Sequence, residues 1–121
     1  MNKLPPSPFP VTTELRELTK KLADWAAPAP GSIVYVYGSR VRGDHKPTSD
    51  VDICMDFPNL KTEDTRWWTD NNQDEFKQIN AQLGANVQVL ERNAPLRPEV
   101  LKGPVVLQDR NVRCVWLPPK P

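Results

Sequence analysis

Leu15, Leu18, Leu22 and Trp25 recur at spacings of three, four and three through "TELRELTKKLADW", with polar residues between them. This is one apolar stripe on a helix, and its plainest use is to face a core. Thr12 or Thr13 can cap that helix, Glu14 and Glu17 suit its first turns, and Pro28, Pro30 and Gly31 stop it. The pattern then changes period. Ile33 to Tyr37 is β-branched and aromatic, a short buried strand ended by Gly38. Residues 40–49 carry Gly43, Pro47 and Ser49 and read as a loop, and Val51 to Phe57 is a second strand stopped by Pro58. "KTEDTRWWTDNNQDEFKQINAQLG" reads as one helix with a ragged start. Phe76, Ile79 and Leu83 share a face of it, Trp68 lies two turns earlier, and Gly84 supplies a left-handed stop. Trp67 and Trp68 are expected to pack on the core rather than to bind a base.

A third strand is expected near residues 86–90, and a short helical turn over Pro98 to Lys102, closed by Gly103. Two strands follow, near 104–107 and 112–117, joined as a hairpin at Asp109-Arg110-Asn111. There are no internal repeats. The order helix, strand, strand, helix, strand, short helix, strand, strand predicts an α/β (α+β) domain, a small mixed β-sheet with helices on one face.

Length and composition refine this picture. A chain of 121 residues fits one domain and can bury roughly two-thirds of its unfolded surface, so it needs no disulfides to fold. Cys54 and Cys114 have no second cysteine near either, which suits neither a zinc cluster nor a disulfide framework. Both are expected to be reduced thiols in a cytoplasmic setting. Of the 14 prolines, seven lie at the ends: Pro5, Pro6, Pro8 and Pro10 at one, Pro118, Pro119 and Pro121 at the other. Residues 1–11 and 118–121 are therefore expected to be extended Pro-rich tails around a single domain at 12–117. No signal peptide or membrane span is expected. A net charge of +1 predicts no DNA binding, so any phosphate recognition must be local.

The local chemistry sits in "VYVYGSRVRGDHKPTSDVDICMDF". Strand alternation puts Asp50 and Asp52 on one face and Val51, Ile53 and Met55 on the other. Two like charges side by side are unfavourable unless a cation or a proton neutralises them. A hard divalent cation with oxygen ligands answers that need, and magnesium keeps phosphates and water in its remaining positions. Gly38-Ser39 lies where the first strand must turn sharply. Glycine there lets backbone approach a ligand, and successive N–H groups can form an anion-binding concavity. Arg40, Arg42 and Lys46 add positive charge. Gly38 and Gly43 have the spacing of a P-loop, but Asp44 and His45 stand where that motif needs Lys and then Ser or Thr, which excludes it.

"GSRVRGDHKPTSDVDI" resembles the signature of the minimal nucleotidyltransferases of the DNA polymerase β-like superfamily: Gly-Ser after a strand, a loop with arginine and glycine, then Ser-Asp-hydrophobic-Asp-hydrophobic. The resemblance implies the polymerase β-like palm fold and a magnesium site, with two ions when active and manganese as a substitute. It implies that Gly38, Ser39, Arg40, Arg42 and Ser49 bind nucleotide and that Asp50 and Asp52 bind metal and are catalytic. The implied reaction moves a nucleoside monophosphate, AMP from ATP being favoured, to a protein or RNA hydroxyl. It also implies a HEPN-type protein partner encoded nearby, in a toxin–antitoxin pair.

The family carries a third acid on a later strand, and here Gln88 in Val87-Gln88-Val89 holds that place. Glutamine offers a neutral oxygen and accepts protons poorly. Asp56 is on the right face but ~13 Å beyond Asp52 along an extended strand, and Glu91 has the wrong parity unless the strand bulges. The alternative reading is thus a catalytically degenerate binding or antitoxin subunit. His45 can contact phosphate or simply be an exposed loop residue, and Cys54 and Cys114 are read as packing residues.

Overall fold

The computed structural model describes residues 11–29, 31–90 and 99–118. The apolar stripe forms α1 (Thr13–Ala26), with Leu15, Leu22, Ala23 and Ala26 buried. Thr12 caps it, its hydroxyl accepting from the Leu15 amide at 3.1 Å. The strands are β1 (Ile33–Tyr37), β2 (Val51–Asp56), β3 (Ala85–Val89), β4 (Val105–Asp109) and β5 (Val112–Val115). They form one mixed sheet in the order β3-β2-β1-β5-β4. β1 runs antiparallel to β2 and parallel to β5, β2 runs parallel to β3, and β4 and β5 form the expected hairpin around Arg110 and Asn111.

Three departures from the pattern have physical causes. Residues 39–42 are not loop but a single helical turn, α2 (Ser39–Arg42), ended by Gly43 in the left-handed region. The long helix divides into α3 (Thr62–Asn71) and α4 (Gln73–Leu83) at Asn72, whose φ of −121° and ψ of 22° leave the helical region. The side-chain amides of Asn71, Asn72 and Gln73 donate to the carbonyls of Trp67, Trp68 and Thr69 at 2.7 to 2.8 Å. They compete with the backbone ladder where it breaks. Trp67, expected in the core, is 67% exposed, while its neighbour Trp68 packs between Phe57 and Phe76. Successive helical residues point about 100° apart, so only one of the pair can face inward.

The main core lies between the helices and the sheet face bearing Val34, Val36, Val51, Ile53 and Met55. The opposite face carries Tyr35, Tyr37, Asp52 and Cys54. A short 3₁₀ turn, Glu99–Leu101, packs there through Val100 against Tyr35, Cys54 and Val115, so not every helical element lies on one face. No helix among the described residues is long and apolar enough to cross a membrane.

Candidate active site

β1 delivers the chain to the bend and β2 carries it away, with Tyr37 directly opposite Asp52. Gly38 joins them at φ 84° and ψ −154°, a region essentially reserved for glycine. A Cβ on Gly38 would lie 2.7 Å from Asp52 Oδ2, so only a bare backbone fits beside that carboxylate. Ser39 then opens α2, whose Val41 and Arg42 amides both donate to the Gly38 carbonyl at 3.1 Å. The antiparallel register thus brings Gly-Ser and Asp-x-Asp into contact, though eleven residues lie between Gly38 and Asp50.

Around this contact is a cleft of about 460 Å³ lined by Tyr37, Gly38, Ser39, Arg42, Asp52, Glu99, Leu117 and Pro118. That volume falls in the range of small-molecule sites. A separate pocket of about 200 Å³ under Trp25, Ala29 and Trp68 lies on the helix side and is small for a nucleotide. Burial, and then the neighbouring charge of Asp50, push the Asp52 carboxyl above its ordinary value, and Arg42 pulls the other way. The Tyr37 hydroxyl is also raised, by burial first and then by Asp52 and Cys54.

The remaining residues singled out in the sequence are placed as follows. Arg42 lines the cleft while its Nε donates to Asp44 Oδ2 at 3.1 Å. Arg40 is turned to the loop: it donates to Glu14 Oε1 at 2.8 Å and to the carbonyls of Ser49 and Pro47. The Ser49 hydroxyl accepts from the Lys46 amide at 2.8 Å, and His45 Nε2 lies 3.1 Å from Glu14 Oε1. Arg40, Ser49 and His45 therefore shape the segment between the bend and β2, and none of them lines the cleft. Asp50 is exposed just ahead of β2.

On β3, Gln88 pairs with Cys54, and Asn86 pairs with Asp52. Paired residues share a face, so both amides are on the site's side of the sheet, and neither is a carboxylate. Asp56 pairs with Ile33 at the far end of β1. Glu91 lies outside the described residues. Cys54 and Cys114 are buried free thiols, and burial pushes both up to about 11. A thiol so protonated is a poor nucleophile. Pro118, assigned to a tail on composition, stands in the cleft wall with Leu117. Tyr37 and Glu99 also line the cleft without having been singled out. Tyr37 could have been found from its place beside Gly38. Glu99 has no local signal, because its approach depends on how the 3₁₀ turn packs.

Among the described residues no three His, Cys, Asp or Glu side chains gather as a metal cluster. The donor set here is a carboxylate pair at a glycine bend, which fits magnesium, an ion held by one or two carboxylates together with substrate phosphates. A mixed sheet presenting Gly-Ser against Asp-x-Asp on its open face is the polymerase β-like palm, the class of fold that performs nucleotidyl transfer. The model of the nucleotidyltransferase domain family matches residues 15–103, most of the chain, and the protein belongs to that family. No curated protein and no solved structure matches it.

Proposed function

We propose that the protein is a magnesium-dependent transferase that moves AMP from ATP to a hydroxyl on a protein or an RNA. The observation that carries this reading is the carboxylate of Asp52 held against the bare backbone of Gly38, with Asp50 near enough to raise its affinity for protons. Asp50 and Asp52 would hold magnesium, which when bound neutralises their charge and that of the triphosphate. Gly38 and Ser39 offer backbone and hydroxyl donors to the phosphates, and Arg42 adds a cation on the same wall. In the transfer, the acceptor oxygen bonds to the α-phosphorus, and pyrophosphate leaves with the electrons of the broken P–O bond. The domain is small, and a HEPN-type partner of a toxin–antitoxin pair would supply the acceptor.

Calorimetry tests the site. ATP should bind with magnesium and bind weakly without it, and Asp50→Asn should abolish the magnesium-dependent part. Labelled ATP should then mark an acceptor or release pyrophosphate, and an Asp50→Ala, Asp52→Ala variant should do neither. ATP binding indifferent to both magnesium and Asp50 would refute the assignment.

A second reading is favoured by one observation: β3 faces the site with Asn86 and Gln88 in place of an acid. A degenerate binding subunit predicts no turnover in the wild type and partner binding untouched by the double alanine change. A gain of activity in Gln88→Asp would support it.

A further inference from the structure

We infer that Glu99 is the proton acceptor of the transfer reaction, in the cleft that it lines together with Asp52. This rests on the transfer reading above and extends it to a residue outside the Gly-Ser and Asp-x-Asp segments.

The placement follows from packing. Tyr35 and Tyr37 are two apart on β1 and project from the same face. Tyr35 packs with Cys54, Val115 and Val100, and Val100 is the buried middle residue of the 3₁₀ turn. Fixing Val100 over Tyr35 brings the preceding residue, Glu99, beside Tyr37 in the cleft. The turn is closed by the Lys102 amide donating to the Glu99 carbonyl at 2.9 Å. It is then clamped at Gly103, where a Cβ would lie 2.9 Å from Leu117 Cδ2 and from the Trp116 carbonyl oxygen. Glu99 itself is exposed.

A carboxylate in this cleft could be a third metal ligand or a base. Among the described residues, no three acids, histidines or cysteines come close enough to share one ion, so Glu99 stands apart from the aspartate pair. A base must reach the acceptor oxygen within the cleft, and with Asp52 committed to the metal Glu99 is the other carboxylate among the lining residues. Tyr37, Arg42 and Asp52 are the titratable and charged groups that line the cleft with it. In the step, the acceptor's proton passes to the Glu99 carboxylate as its oxygen bonds to the α-phosphorus. The bond to the β-phosphate oxygen breaks, its electron pair leaves with pyrophosphate, and Glu99 returns the proton to water. This position also accounts for a β3 without an acid.

The test compares wild type, Glu99→Gln and Glu99→Asp. Pyrophosphate release from magnesium-ATP is followed with water, glycerol, N-acetyltyrosinamide and a short RNA as acceptors, and magnesium-ATP affinity is measured by calorimetry. Glu99→Gln should lower kcat by about 10²–10⁴-fold, with affinity for magnesium-ATP unchanged and the acidic limb of the pH–rate profile lost. Glu99→Asp should keep more rate than Glu99→Gln. A Glu99→Gln variant as fast as an active wild type overturns this inference alone, as does one whose affinity falls in step with its rate. A wild type that releases no pyrophosphate with any of these acceptors, nor with the protein encoded by the neighbouring gene, overturns the transfer reading, and this inference with it.

Discussion

Gly38 shows how much one residue can decide. Its backbone lies in a region that side chains rarely adopt, and the space where a Cβ would go is taken by the carboxylate of Asp52. Gly38→Ala should therefore cost about 1–3 kcal/mol of stability from backbone strain. It should also push Asp52 aside and remove ATP binding, which urea unfolding and calorimetry would register separately. Gly43 is the control. Its φ is 85°, but a Cβ there meets nothing within 4 Å. Gly43→Asn should be milder in both measurements, because asparagine tolerates the left-handed region. At this scale much of the site was legible in the sequence. Gly-Ser and Asp-x-Asp announce themselves because their chemistry depends on spacing, which a sequence displays directly. Glu99 did not, because its approach depends on packing between distant segments. The contacts of Arg40 were hidden for a related reason. A cation on a phosphate-like loop looks free until its partner, Glu14, is seen to come from α1.

Among the elements, α3 shows what periodicity reveals and what it hides. Trp68 packs tilted against both Phe57 and Phe76, its ring centroid 4.7 Å from the first and 5.7 Å from the second, joining β2's end to α4. Trp68→Ala should cost about 3–5 kcal/mol and lower the urea midpoint sharply. Trp67→Ala should change it by no more than about 0.5 kcal/mol, as for most surface changes. The strands were legible because their apolar runs are short and bounded by glycine and proline. The single long helix was misjudged because an apolar face persists across Asn72, while the break is set by side-chain amides that capture backbone carbonyls. Hydrophobic pattern alone does not register that competition.

For the whole molecule, the meeting of α1 with β5 ties stability to pH. Cys114, fully buried, lies 3.1 Å from the Thr19 hydroxyl, and burial raises its thiol from 9.0 to about 11. The native state then holds a proton that the unfolded chain gives up between those two values. Stability should be complete below about pH 9 and should decline as pH rises toward 11. Urea midpoints at pH 7, 9 and 10.5 should follow that course; because Cys54 is raised to about 11 as well, Cys114→Ala should lessen the decline and adding Cys54→Ala should lessen it further. Sheet order was the part of the architecture least visible beforehand. The element order fits many mixed sheets, and only the pairing of β1 with both β2 and β5 selects this one. One tie across the molecule reaches further than its size suggests. Glu14 receives both Arg40 and His45, and Arg40 also holds the carbonyls of Pro47 and Ser49. The strap leading from the bend to the aspartates is thus moored to the opening turn of α1. Exposed ion pairs of this kind are worth about 0–1 kcal/mol, so the mooring slips easily. Whatever grips α1 near Thr12 has a mechanical line, two side chains long, to the place where the triphosphate would lie.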